Sequence, residues 1–268
     1  MRVLKTSMKN LIGVDEPTPV EVLHADPAHP VLLVCDHATN RIPASLNGLG
    51  ISPIDLETHF AVDIGAADIV RHISRKLELP AVLTTYSRLV VDCNRILTDP
   101  SAFPLCLENI MVPGNQELDH DGRKDRADTL YWPYHQAIRE RLIDLENDGR
   151  LPALIAIHSF TPTFENTTRP WHIGVLWDKD PRIPVPLINA LREIDGVNVG
   201  DNEPYSGKHP HDFTVDHHAE AEGLAHVSVE IRQDLIETPE GVMYWGDLLA
   251  TALAPILSGP GLYEHWTV

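Results

Sequence analysis

Three short apolar runs in this chain stop on side chains that can bind a metal ion or move a proton. Val31-Leu32-Leu33-Val34-Cys35 leads into Asp36-His37, Leu154-Ile155-Ala156-Ile157 into His158-Ser159, and His226-Val227-Ser228-Val229 into Glu230. Hydrolytic zinc needs such a set: imidazoles and a carboxylate as ligands, an open position for water, and a separate carboxylate as base. Taken singly, each histidine reads more simply as a hydrogen-bonded residue at a strand end, because 15 histidines make coincidence easy. Taken together they say more. Ligands of open α/β sheets bind beyond the carboxyl ends of strands, so three distant strands could deliver His37, His158 and Glu230 into one crevice.

A fourth segment, Ser87-Arg88-Leu89-Val90-Val91-Asp92-Cys93-Asn94-Arg95, supplies positive charge beside an amide. Guanidinium pairs bidentately with a carboxylate and asparagine adds a neutral donor, which suits an anionic substrate; a structural Arg–Asp pair is the equal alternative. Arg232 lies two residues after Glu230, on the same face of a strand, and could add to carboxylate binding. Tyr205, in the polar loop 201–218, is placed either to fold over a substrate or to sit in an ordinary surface turn. The His209/His211 and His217/His218 clusters read as solvent-facing or substrate-contacting. Tyr131, Trp132 and Tyr134 read as a packing face beside His135. Cys35 could be a thiol nucleophile, but on a buried strand it reads as an inert core residue.

The elements that must position these groups alternate. Apolar strands are expected at 30–35, 81–86, 89–91, 154–157, 171–177 and 226–229. Helical spacing predicts helices over 54–79 (capped by Asp55), 127–148 (starting or kinking near Pro133), 184–195 and 241–257. Residues 1–28 read as a loose lead-in and 98–125 as a long loop. With no repeat or linker dividing the chain, this is one α/β domain over 1–268, its sheet covered on both faces.

The segments CDHATNRIP (35–43), HFAVDIGA (59–66), SRLVVDCNR (87–95), YWPYH (131–135), HSF (158–160) and SVEIRQDL (228–235) carry a resemblance. In this order, over roughly residues 30 to 255, the chain resembles the N-formylglutamate amidohydrolases. That resemblance implies a three-layer domain with a mixed central sheet, zinc-carboxypeptidase-like (phosphorylase/hydrolase-like), and a single catalytic Zn2+. It implies hydrolysis of an N-formyl or other N-acyl acidic amino acid by metal-activated water. His37 and His158 would be metal ligands, Glu230 the general base, Asn94 and Arg95 the carboxylate clamp, and Arg88 the oxyanion partner. The chain departs at Asn40, where the carboxypeptidase relatives place a glutamate ligand; asparagine binds zinc poorly. Asp63 is the first candidate for the third ligand, with His59 (i, i+4 to it on a helix) and Asp36 as alternatives. Asp63 reads equally as a partner orienting a ligand histidine. Two histidines and a carboxylate favour zinc, although they also suit other divalent transition metals.

Composition sets the boundaries. The 268 residues carry 21 Lys+Arg against 39 Asp+Glu, a formal charge of −18, which argues against nucleic acid and demands that any anionic substrate find its positive charge locally. No run approaches the roughly 18 apolar residues of a membrane span, and the N-terminus lacks the apolar core of about 7–15 residues of a secretory signal. Cys35, Cys93 and Cys106 have no CxxC spacing, which fits a reducing cytoplasm. The oligomeric state is left open.

Overall fold

In the strand Val31–Cys35, successive side chains serve two different cores. Val31, Leu33 and Cys35 join one buried apolar cluster, while Leu32 and Val34 join another. A strand with period two that is apolar at every position must be covered on both faces. The computed structural model describes residues 11–25, 27–107, 109–146, 149–208 and 212–267.

The strands are β1 (Val20–Leu23), β2 (Val31–Cys35), β3 (Ala81–Thr84), β4 (Cys106–Leu107), β5 (Ile110–Met111), β6 (Ala153–Phe160), β7 (Thr163–Phe164), β8 (Thr167–Thr168), β9 (Ile173–Leu176), β10 (Val199–Asp201) and β11 (His226–Arg232). Seven of them form a mixed sheet in the order β1-β3-β2-β6-β11-β9-β10. The central four are parallel; β1 and β9 run antiparallel to their inner neighbours. β4 with β5, and β7 with β8, form two small hairpins. The helices are α1 (Pro53–Leu56), α2 (Ala66–Leu77), α3 (His120–Arg126), α4 (Trp132–Leu145), α5 (Pro184–Arg192), α6 (Phe213–Val215) and α7 (Pro239–Leu257). Ile69, Ile73, Leu187, Leu191, Leu249 and Leu253 of α2, α5 and α7 pack one face of the sheet. Tyr134, Ile138 and Leu142 of α4 pack the other. The result is the expected three-layer α/β arrangement around a mixed sheet. No helix among the described residues is long and apolar enough to cross a membrane.

Several expectations need correction. The helix expected over 54–79 is two helices, α1 and α2, separated by turns over 57–65. Gly65 closes these turns as the N-cap of α2 at φ 77°, where a Cβ would sit 2.2 Å from the Ile236 carbonyl oxygen. Ser52, not Asp55, caps α1; its hydroxyl oxygen accepts from the Asp55 amide at 3.2 Å. Leu89-Val90-Val91 is a turn, with the Val90 amide donating to the Ser87 carbonyl at 3.0 Å. The lead-in contains the edge strand β1; its first ten residues and residue 26 lie outside the described residues. The 98–125 loop holds the β4/β5 hairpin and the start of α3. A π turn, Ala127–Tyr131, joins α3 to α4 without leaving helical backbone, so Pro133 lies inside a continuous helix just after the widened turn, which takes up its missing N–H.

Candidate active site

Parallel pairing of β6 and β11 sets His158 directly beside Glu230 at the register position Glu230↔His158. Both share a sheet face with Leu154, Ala156 and Ser228, the side packed by α4. β2 ends one residue before Asp36, and the turn that follows carries His37. The His37 carbonyl accepts from the Asp63 amide at 3.1 Å, which ties the 57–65 turns to the end of β2. Asp63 therefore reaches the sheet from a turn rather than from a helix, and His59 and Asp63 lie near each other (3.9 Å) without an intervening helical turn.

His37, Asp63 and His158 offer ligand atoms within 4.8 Å of one another, a group that could hold a metal ion. Each imidazole turns Nδ1 to Asp63 Oδ2, at 3.3 Å from His37 and 2.9 Å from His158. Each turns Nε2 to an outer carboxylate. His37 Nε2 donates to Asp92 Oδ1 at 2.9 Å, and His158 Nε2 lies 3.2 Å from Asp36 Oδ2 without hydrogen-bond alignment. With carboxylates on both sides, each ring must hold positive charge between itself and Asp63, either a proton or a shared cation. This is the arrangement by which outer carboxylates orient ligand imidazoles. Asp36 Oδ2, His59 Nδ1, Asp63 Oδ1, His158 Nε2 and Glu230 Oε2 are all buried without a hydrogen-bond partner among the described residues. Asp36 Oδ2 and His158 Nε2 face each other as an ion pair. An orphaned buried polar atom costs roughly 1–3 kcal/mol, so the other three at one place, His59 Nδ1, Asp63 Oδ1 and Glu230 Oε2, point to a site built for something besides the fold. The donor set fits a divalent ion.

The electrostatics follow from burial and neighbours. Burial opposes ionisation of Asp63, but His37 and His158 more than offset it and hold the carboxyl well below its ordinary range. Burial likewise opposes charge on both imidazoles; the carboxylates around them win and raise His37 and, further, His158. Glu230 behaves in the opposite way. Burial pushes its carboxyl up to about 8, opposed by His158 and reinforced by Asp63. Its pairless Oε2 and raised proton affinity are the marks of a group that exchanges protons.

A cavity of about 910 Å³ opens over this cluster, and its lining includes Arg88, Asn94, Arg95 and Tyr205. Arg88 is fixed by Asp92 Oδ2, to which Nε and Nη2 donate at 3.1 and 2.8 Å, while Nη1 lies 3.7 Å from Asp63 Oδ1. Asn94 Oδ1 accepts from the Thr214 amide at 3.0 Å, leaving its Nδ2 donors for the cavity. Arg95 Nη1 donates to the Asn94 carbonyl at 2.8 Å. The Tyr205 loop can approach because β9 carries Gly174 opposite Glu230: a Cβ there would lie 2.1 Å from the Glu203 carbonyl oxygen.

Other expected residues lie elsewhere. Arg232 turns to Asp234, at 2.8 Å from Nε, and to the Trp171 carbonyl, and does not line the cavity. Asn40 donates to the Leu56 carbonyl at 2.9 Å, so the departure at that position does not touch the cluster. Asp36 stands behind His158 and accepts from the Thr214 hydroxyl. Cys35 packs in the core, where burial raises its thiol far from nucleophilic range. His218 is buried against His135 rather than solvent-facing, while His209 and His211 lie outside the described residues. The structural Arg–Asp pair given as the alternative for the 87–95 segment is present, as Arg88 with Asp92, although the bond of Asp92 with His37 carries no local signal. Thr214 and Arg169 were given no role, and they carry no local signal either.

Comparison with known proteins comes to the same place. A family model described as FGase, N-formylglutamate amidohydrolase, matches residues 29–237. The crystal structure of gene product Atu2144 from Agrobacterium tumefaciens is similar at a TM-score of 0.88 and 35% identity, covering 92% of this chain and 98% of that one. N-formylglutamate amidohydrolase from Ralstonia eutropha JMP134 superposes at a TM-score of 0.68 and 19% identity, over 90% of this chain and 98% of that one, a likeness of fold. No curated protein matches.

Proposed function

This chain belongs to the N-formylglutamate amidohydrolase family and is an amidohydrolase, and on that premise we propose that it cleaves the amide of an N-formyl or other N-acyl acidic amino acid. His37, Asp63 and His158 would hold a divalent ion, with zinc favoured by two imidazoles and one carboxylate. When bound, such an ion supplies Lewis acidity, polarising the scissile carbonyl and making water a stronger acid.

The chain's own residues do the rest. Glu230 takes a proton from the attacking water and returns it to the leaving amine. Arg88, held flat by its two bonds to Asp92, offers its remaining guanidinium edge to the oxyanion. Asn94 and Arg95 grip a substrate carboxylate, and Tyr205 closes the side of the cavity. Asp92 and Asp36 hold the two imidazoles in their orientation. The single observation that carries this reading is Glu230, register-locked beside His158, with Oε2 unpaired at the cavity.

Glu230→Gln keeps the shape and removes the base. Formate release from N-formyl-L-glutamate should fall by more than about 10²–10⁴-fold, with the metal content of the purified protein unchanged. Retention of most activity would reject Glu230 as the base. A panel of N-acyl amino acids and short peptides, run on the wild type, distinguishes the acyl group and the amino acid preferred.

A further inference from the structure

Arg169 is 8% exposed, yet among the described residues no carboxylate pairs with it. The other buried arginines near the sheet are satisfied. Arg88 is paired with Asp92, and Arg126 donates to the Val90 and Gly114 carbonyls and to Asn115 Oδ1. Arg169 commits only Nη1, to the Thr161 carbonyl and hydroxyl and to the Tyr205 hydroxyl. Its Nε and Nη2 are uncommitted among the described residues. The guanidinium carbon sits 4.8 Å from the ring centre of Phe164, 4.9 Å from Tyr205 and 5.9 Å from Phe160. Thr161, Phe164 and Tyr205 are themselves part of the cavity wall.

An aromatic cage fixes a guanidinium without neutralising it. It also keeps water away, so that a carboxylate arriving there meets a stronger partner than a surface arginine would be. We propose that Arg169 determines specificity by taking the side-chain carboxylate of a dianionic substrate while Asn94 and Arg95 hold the other. This rests on the amidohydrolase reading above and names what that reading left open, the reason an acidic amino acid is preferred. Arg169 stands directly behind the lining residues Thr161 and Tyr205, to both of which its Nη1 donates. In a chain of charge −18 it is an uncommitted cation within one side chain of the cavity, which is what a dianion requires. The competing role is a latch: the bonds to Thr161 would merely hold the base of the β7/β8 hairpin, and its loss would harm every substrate alike.

The test uses the full, metal-loaded chain with Arg169→Met and Arg169→Lys, comparing kcat/KM for N-formyl-L-glutamate with that for N-formyl-L-glutamine, the isostere whose side chain is uncharged. Loss of a charge-assisted bond predicts a fall of about 10–100-fold for the glutamate compound in Arg169→Met, with the glutamine compound changed by less than about threefold. Arg169→Lys should recover part of the discrimination. Equal falls on both compounds, or none on either, overturn the proposal. Calorimetry with glutarate and butyrate separates this from the parent reading. A wild-type preference for glutarate that Arg169→Met abolishes upholds the carboxylate site even if no formyl compound turns over. A wild type that binds the two acids equally ends it.

Discussion

The protein buries two imidazole pairs on the same side of its sheet, and they are wired in opposite ways. In the first, His37 and His158 turn both ring nitrogens toward carboxylates, so their surroundings demand positive charge. In the second, His135 Nε2 donates to the Cys93 carbonyl at 3.0 Å, and its Nδ1 accepts from His218 Nε2 at 2.9 Å. That chain is complete with two neutral rings. Burial lowers His135 to about 4 and, with His135 adding to it, His218 to about 3. The residue type is the same; the partners decide whether a buried histidine is a cation site or a packed hydrogen-bond link.

The strongest way to break this contrast is to remove one ring from each pair. His158→Ala should lose bound metal and more than about 10³-fold in formate release. His135→Ala should keep the metal and lose mainly stability, by roughly 1–3 kcal/mol for the donors left unpaired. Metal analysis and denaturant melts read both, and metal loss in the His135 variant would erase the distinction.

A second effect is in pH. A histidine whose folded pKa is depressed takes up its proton more readily in the unfolded chain. The second pair therefore contributes stability above about 6.5 that is lost as pH falls toward about 4, on the order of 3 kcal/mol for each ring. The first pair, raised, works the other way in metal-free protein: its contribution is present at low pH and lost as pH rises through the elevated values. Denaturant midpoints from pH 7 to 4 should fall steeply in wild type and less steeply in His218→Leu. An unchanged slope would mean the second pair is not proton-poor.

The smallest effect concerns the outer carboxylates. Asp92→Asn keeps a hydrogen bond to His37 and removes the charge, and should weaken metal binding by about 10–100-fold while leaving the fold intact. Titration with a competing chelator measures it; no change in affinity would show that Asp92 serves Arg88 alone.

Much of this was legible in the sequence, because a buried parallel strand writes itself as an unbroken apolar run and the polar residue ending it stands out. His37, His158 and Glu230 were found that way, and the sheet with them. Asp63 was legible as a residue but not as a position: helical spacing continues through 57–65, whereas the chain leaves the helix after Leu56 and the Asp63 amide bonds the His37 carbonyl, a long-range contact. The edge strand β1 hides between Pro17, Pro19 and polar residues, where pairing with β3 decides its conformation. Arg232 shares the expected strand face, but Asp234 captures it beyond the strand end. Arg169 was invisible because its environment is assembled from Phe160, Phe164 and Tyr205, whose convergence no local pattern encodes.

The pairing of Glu230 with His158 on adjacent hydrogen-bonded strands has an evolutionary corollary. Neither can drift relative to the other without unzipping the middle of the sheet, so the proton transfer proposed for Glu230 would be held in place by the scaffold. On the proposed reading, diversification of what the enzyme accepts would come from the peripheral hairpin and the segment around Tyr205, which lie outside that paired core.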